Sequence, residues 1–586
     1  MLANIGKPLV YPQLYLYLLT FSVLILPLCL CTTDNKDADL DSTFPLDEFV
    51  RRDLPRANSA PVLANGSQIV RRPSLGQQDP QVLPPVPIIP ISEEYISNAQ
   101  GNDTDAQDPA SSRLRSRNII PDRERWTSNS RQILKRDAES CGGGTQCADG
   151  SADGKCGFGP DYCGSGCQSN CDAAAMCGKY SLGGSQKCGM NLCCSTYGWC
   201  GTDDAHCSPT GDTPCQQGFG RCDDHVPPPS CSGTSTNTRT IGYYQVANTR
   251  SRLCNRISPE QIDTKGYTHL YLAFAAIDPK SFAVVPSDNP DATKSADAKQ
   301  YSKFTALKSS TLQTWIAIGG FDFSDVGPTH TTWSDMVSTS ANRAAFISSL
   351  KGFMAKYGFQ GVDIDWEYPG TPDRGGKLGD TQNLVSLVKE MSASFNGQYG
   401  ISLTLAPDYW YLRYFDPKAM EPYVNWFGFM AYDLHGSWDA DVHTLGSIVR
   451  GQADVREIQN DTLPFWFDNL DPSKINLGLA AYGRGYTLSN PSCHTLECPF
   501  DGPNDPGECT NTAGIMSLVE IKNLVKEEGL TEHLLSSSMM KEISWGNQWI
   551  GYDDHDTWAL KKKWANGLCF GGTMVWSVDM DSGQGR

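Results

Sequence analysis

Residues 358–370 read GFQGVDIDWEYPG, an apolar, strand-like run that places an acid at every second position. Side chains two apart on a strand share a face, so Asp363, Asp365 and Glu367 lie on one side, with Val362, Ile364 and Trp366 on the other. Three carboxylates that close cannot all ionise comfortably. A solvent-facing edge strand carries such charges harmlessly. The apolar opposite face and the following Tyr368-Pro369-Gly370 point instead to a buried strand that ends at a site.

From about Thr240 onward, short β-rich runs alternate with helical stretches. The runs are TIGYYQV, HLYLAFAAID, TWIAIGGF, GVDIDWEYP, GISLTLAP, NWFGFMAYDLHG, KINLGLAAYG and GTMVWSVDMD. RAAFISSLKGFMAKYG and NLVSLVKEMSASF are typical of the stretches between them. Eight nearly continuous apolar strands separated by helices predict an α/β fold, a parallel (β/α)8 TIM barrel, with its chemistry at the C-terminal strand ends. The rhythm breaks once, between the seventh and eighth strands, and residues of about 488–552 are expected to form a small α+β insertion.

Net charge is −18 and there is no long Lys/Arg run, which argues against nucleic acid or an anionic membrane surface as partner. Of 22 cysteines, fourteen lie between Cys141 and Cys222, the density of a disulfide scaffold in an oxidising compartment. Paired CxxC or Cys/His spacings for zinc are missing there, and neither a metal nor a cofactor is expected. Lys7 precedes the apolar run LYLYLLTFSVLILPLCLC, read as a signal peptide over 1–31, with an uncleaved anchor as the other reading. Residues 32–138, rich in Pro, Asp, Ser, Asn and Arg, read as a disordered pro-region or linker. Their last basic pair, Lys135-Arg136, resembles a processing site.

A glycosidase usually sets two carboxylates on opposite sides of the sugar. Here three rise from one strand end, which leaves an acid for the leaving oxygen and lets the nucleophile come from the substrate's own acetamido carbonyl. GVDIDWE resembles the DxDxE signature of glycoside hydrolase family 18, and AIGG at 317–320, MAYD at 430–433 and MVW at 574–576 agree with that family's other strand ends. The resemblance covers about 240–586 and is to the secreted fungal chitinases of class V type.

It implies that Glu367 is the general acid and later the base. Asp365 would orient the acetamido group and stabilise an oxazolinium-like intermediate, with Asp363 sharing a proton with Asp365 at rest. Tyr432 would donate to the acetamido oxygen, Asp433 would bind sugar and tune Glu367, and Trp576 would floor the ring. Met430, in the same motif as Tyr432, joins the binding set. Tyr243 and Arg484 are read either as lining the mouth or as structural. Tyr409 and Trp410, after the fifth strand, are read as a further subsite. The family's SxGG serine is Ala317 here, so one hydrogen bond to Asp363 is expected to be missing.

From Cys177 to Cys222, the twin Cys193-Cys194 with the spacing to Cys200 and Cys207 resembles the hevein-like chitin-binding module. That resemblance implies the pairs Cys177–Cys194, Cys188–Cys200, Cys193–Cys207 and Cys215–Cys222. It also implies sugar contacts from Ser195, Tyr197 and Trp199, with His206 where an aromatic is commoner. Upstream, 139–176 looks like a degenerate copy that keeps only Tyr162 as a platform and is expected to bind poorly. Residues 223–238 read as a linker and 239–586 as the catalytic barrel.

The expected function is endochitinase action on β-1,4-linked N-acetylglucosamine polymer, with chitin and chitooligosaccharides as partners. The protein is expected to be a monomer, secreted to the extracellular space or cell wall and free of the membrane once the signal is removed. The alternatives are an endo-β-N-acetylglucosaminidase on N-glycans and a chitin-docking or toxin-like binding protein.

Overall fold

The computed structural model describes residues 174–223, 226–442 and 445–582, with the short stretches 151–152, 155–156 and 158–159. The leader, the 32–138 segment, the Lys135-Arg136 pair and most of the upstream cysteine copy, Tyr162 included, lie outside the described residues.

Eight parallel strands form the barrel: β1 (Thr240–Gln245), β2 (His269–Ile277), β3 (Gln313–Gly319), β4 (Gly361–Asp365), β5 (Gly400–Leu405), β6 (Trp426–Phe429), β7 (Ile475–Ala480) and β8 (Gly572–Trp576). Each pairs with the next, and β8 pairs with β1 to close the ring. Closure removes both sheet edges, so each strand has neighbours on either side. Helices that position the site are α1 (Ser340–Tyr357), α2 (Asp380–Phe395), the single turn α3 (Tyr409–Leu412), α4 (Leu463–Phe467) and α5 (His555–Gly567).

The local sequence explains how the chain enters β4. Thr339 caps α1 by accepting the Asn342 N–H, and Gly358 ends the helix at φ 84°, a left-handed conformation that glycine adopts without a Cβ penalty. Phe359 is then buried, and all five residues of β4 are buried. Val362 and Ile364 pack outward, so the period-two pattern leaves Asp363 and Asp365 facing the barrel interior.

Between β7 and β8 lies a separate six-stranded antiparallel sheet with the helix Leu518–Glu528. Its first strand is Tyr482–Leu488, so the insertion starts a few residues before the expected boundary and takes Arg484 with it. The apolar run through Ala480-Ala481 hides the turn, because strand and insertion share one hydrophobic stretch. Three further disulfides staple this half: Cys231–Cys569, Cys254–Cys509 and Cys493–Cys498. Among the described residues no helix is long and apolar enough to cross a membrane.

Candidate active site and sugar-binding module

A cavity of about 670 Å³ opens at the C-terminal ends of the strands, and Asp365, Glu367, Met430, Tyr432, Asp433 and Trp576 all line it. Asp363 sits beneath, buried, with both oxygens taken. Ser402 Oγ donates to Oδ1 at 2.6 Å and Tyr243 OH donates to Oδ2 at 2.8 Å. Burial pushes Asp363 up to about 6 although both hydrogen bonds pull it down. Asp365 accepts from Thr404 Oγ1 at 2.8 Å and shares a hydrogen bond with Glu367.

Asp363 has one hydroxyl donor on each oxygen, while the carboxyls of Asp365 and Glu367 hydrogen-bond to each other, a contact that needs a shared proton. Burial, followed by the charges of Glu367 and Asp363, holds Asp365 well above the usual carboxylate range. Burial pushes Glu367 up to about 7 against the opposing pull of Arg374, whose Nε donates to the Glu367 carbonyl at 3.1 Å. Burial also raises Tyr432, helped by Asp365 and Glu367, so its hydroxyl keeps its proton and stays a donor.

The glycine pair at the end of β3 is required by close approach. Gly319 has φ 105°, and a Cβ there would lie 2.1 Å from the Asp365 carbonyl oxygen. Asp433 holds φ 59°, unusual for a non-glycine residue. Arg484 fixes it with Nε and Nη2 at 2.6 and 2.7 Å, and Tyr482 OH donates to it at 2.6 Å. Arg484 thus lines the cavity but acts first on Asp433, and it also covers the Trp438 ring at 4.7 Å.

Three expected sugar contacts are elsewhere. Tyr243 is buried beneath the cavity as a donor to Asp363, because its long side chain reaches inward from β1. Tyr409 is buried against the cysteine module and donates to the Gly189 carbonyl at 2.9 Å. Trp410 is 42 % exposed and carries Arg413 on its face at 4.0 Å, outside the cavity.

The cavity also uses residues that sequence reasoning missed: Phe274, stacked on Trp576 at 5.4 Å, together with Tyr411, Trp438 and Tyr482. Trp438 rides on a loop anchored by buried His435, whose two ring nitrogens meet Asp439 at 2.6 Å and Glu457 at 2.7 Å. Ser402 and Thr404 were missed as well, although ISLTLAP places hydroxyls at period two beside the DxD pair.

Ala317 and Ser402 are registered on either side of Asp363, from β3 and β5 respectively. The hydrogen bond that Ala317 cannot make is supplied from the opposite neighbour. We therefore expect Ser402→Ala to lower kcat by about tenfold with little change in KM, since a hydrogen bond to a charged group contributes about 1.5–3 kcal/mol. Adding Ala317→Ser to that variant should restore the rate. Steady-state kinetics of the three proteins measure this, and an unrestored double variant counts against it.

In the module, Cys177–Cys194, Cys188–Cys200, Cys193–Cys207 and Cys215–Cys222 are bonded. Ser195 is buried and its Oγ accepts the Trp199 N–H at 3.1 Å, fixing the turn that carries Tyr197 and Trp199, both half-buried. Phe158, from the upstream copy, packs on the Trp199 ring at 5.5 Å. His206 is 1 % exposed and held by Asp203 at 2.6 Å, so it presents no face to a ligand. Its ring occupies the space that a side chain at Gly201 would need.

Residues 239–581, more than half of the chain, match the glycosyl hydrolases family 18, and residues 176–222 match the chitin recognition protein family. A secreted chitinase of Penicillium expansum is 28 % identical over 67 % of this chain and 27 % of its own length. The killer toxin subunits alpha/beta of Kluyveromyces lactis are 29 % identical over 59 % of this chain and 29 % of theirs. The chain therefore spans less than a third of the length of either relative. Among solved structures, catalytic domain 2 of the Ostrinia furnacalis Group II chitinase is 26 % identical, with a TM-score of 0.53 over 59 % of this chain and 90 % of that one. On this match, carried by residues 239–581, the chain belongs to glycosyl hydrolases family 18.

Proposed function

We propose that the protein is an endochitinase that hydrolyses β-1,4-linked N-acetylglucosamine polymer with retention at the anomeric carbon, the substrate's acetamido oxygen acting as nucleophile. The observation that carries this reading is the hydrogen-bonded Asp365–Glu367 pair at the cavity base, with both groups raised so that a proton is held near neutral pH. Glu367 gives that proton to the glycosidic oxygen as the bond to the anomeric carbon breaks. The acetamido carbonyl closes on that carbon, and Asp365, now relieved of the shared proton, accepts the amide N–H and balances the positive ring. Tyr432 donates to the acetamido oxygen, and Trp576 supports the sugar face. Glu367 then takes a proton from the incoming water.

The cysteine module adds affinity for insoluble polymer through Tyr197 and Trp199. Aromatic pairs contribute about 0.5–1.5 kcal/mol each, so changing both to Ala should weaken binding to chitin beads by roughly tenfold or more. The loss should be confined to insoluble substrate, and a pull-down with unchanged binding argues against the assignment. Secretion fits the disulfide-rich body and the name of the Penicillium relative. The proposed chemistry uses groups from one chain and works in a monomer.

Chitohexaose, with product lengths and anomers resolved, tests the reaction directly. Products of β configuration are expected, and an inert protein or α products overturn it. Faster release from an N-glycosylated protein would favour the endo-β-N-acetylglucosaminidase alternative. The toxin-like alternative draws on the Kluyveromyces relative, but a barrel that only held sugar would have no use for a protonated Glu367.

A further inference from the structure

The cysteine module lies against the barrel at a closely fitted seam. Tyr409 OH donates to the Gly189 carbonyl at 2.9 Å, and Asn191 and Arg221 both donate to the Phe467 carbonyl at the end of α4, at 3.4 and 3.5 Å. Met190 between them is buried and belongs to the same continuous apolar core as the barrel. At Gly189 the backbones nearly touch: a Cβ there would lie 2.2 Å from the Arg413 carbonyl oxygen and 2.8 Å from its Cα. The tether is also short and stiff, since Pro227-Pro228-Pro229 leads directly to Cys231, which is bonded to Cys569.

The seam falls on α3, whose two sides have different jobs. Tyr409 faces the module, whereas Tyr411 lines the cavity and stacks on Tyr368 with ring centroids 4.2 Å apart. Tyr368 follows Glu367 in the chain and hydrogen-bonds to it. A single helical turn has little stability of its own and takes its order from what packs against it.

We propose that the module is a fixed part of the catalytic unit: by seating on the back of α3 it positions Tyr411 and Tyr368 beside Glu367, and so supports turnover of soluble oligosaccharides as well as adhesion to polymer. The second half of this statement rests on the chitinase reading above; the ordering of α3 does not.

Gly189 offers a clean probe. Its φ lies outside the left-handed region, and the three atoms nearest its would-be Cβ all belong to Arg413, so Gly189→Val should open the seam and spare the module. In the full chain, hydrogen exchange at residues 409–412 should accelerate. Hydrolysis of chitohexaose should fall on the order of tenfold. Bead binding should persist. Unchanged exchange, or unchanged turnover by a variant with accelerated exchange, overturns the proposal. If the parent protein is inert on chitohexaose but exchange still accelerates in the variant, the activity reading fails and the ordering of α3 stands. If bead binding is lost too, Tyr409→Phe decides, because it removes a seam hydrogen bond from the barrel side: faster exchange at 410–412 supports the proposal, and unchanged exchange overturns it.

Discussion

Replacing Glu367 by Gln should lower hydrolysis of chitohexaose by about a hundredfold to ten-thousandfold and leave oligosaccharide binding intact. The expected size follows from what the residue supplies, since a positioned proton donor contributes about 10²–10⁴ in rate. Gln keeps the shape and can still hydrogen-bond to Asp365, but it has no proton to give. The same environment fixes the pH dependence. Glu367 is pushed up to about 7, above its ordinary value of 4.5, mainly by burial, so the acid form persists to neutrality. Hydrolysis should therefore decline as pH rises through about 7.

The sign for stability runs the same way. A carboxyl raised in the folded state holds its proton better folded than unfolded, so its ionisation destabilises the fold as pH climbs from about 4.5 towards 7. Glu367→Gln escapes that cost, and its melting temperature should exceed that of the parent at pH 8 and converge with it at pH 4. Calorimetry at both pH values, alongside kinetics and oligosaccharide titration, gives the answer. Near-normal hydrolysis by the variant removes Glu367 from its role.

The barrel was legible because each strand is a short apolar run and the catalytic acids are crowded onto one of them. Strand period alone put Asp363, Asp365 and Glu367 on one face, and burial of β4 on both sides follows from the same pattern. Residues that act through a neighbouring strand were harder to see. Ser402 and Thr404 look like ordinary strand hydroxyls until register sets Ser402 opposite Asp363.

Other misses come from rotation and packing. Tyr409 and Tyr411 are two residues apart on one helical turn, about 200° around its axis, so if one faces the cavity the other must face away. A strand-end position was not enough to choose between them. The module resemblance puts His206 at a position where an aromatic is commoner, but a histidine beside Gly201 and Asp203 finds both space and a hydrogen-bond partner inside the module. Arg484 is conspicuous in sequence, yet its charge is already spent on Asp433.

The substrate's own part in the reaction predicts the other large effect. If the acetamido oxygen is the nucleophile, the enzyme needs Asp365 as an anion just when the amide nitrogen becomes positive. On that route Asp365 is well placed for the change, because it would lose its share of the proton as Glu367 delivered it to the leaving oxygen. Asp365→Asn keeps a hydrogen-bonding group but withholds the charge, from a buried position where water cannot substitute for it. A buried electrostatic contact of this kind contributes about 10²–10³ in kcat, so the variant should lose that much with modest change in KM. An oligosaccharide of glucosamine lacks the nucleophile altogether and should be cleaved more slowly still by the parent enzyme. An outside nucleophile such as azide should not rescue Asp365→Asn on the acetylated substrate, since the attacking acetamido group is still in place. Rapid cleavage of the deacetylated oligomer, or azide rescue with an inverted glycosyl azide as product, would point to a protein nucleophile and against the acetamido route.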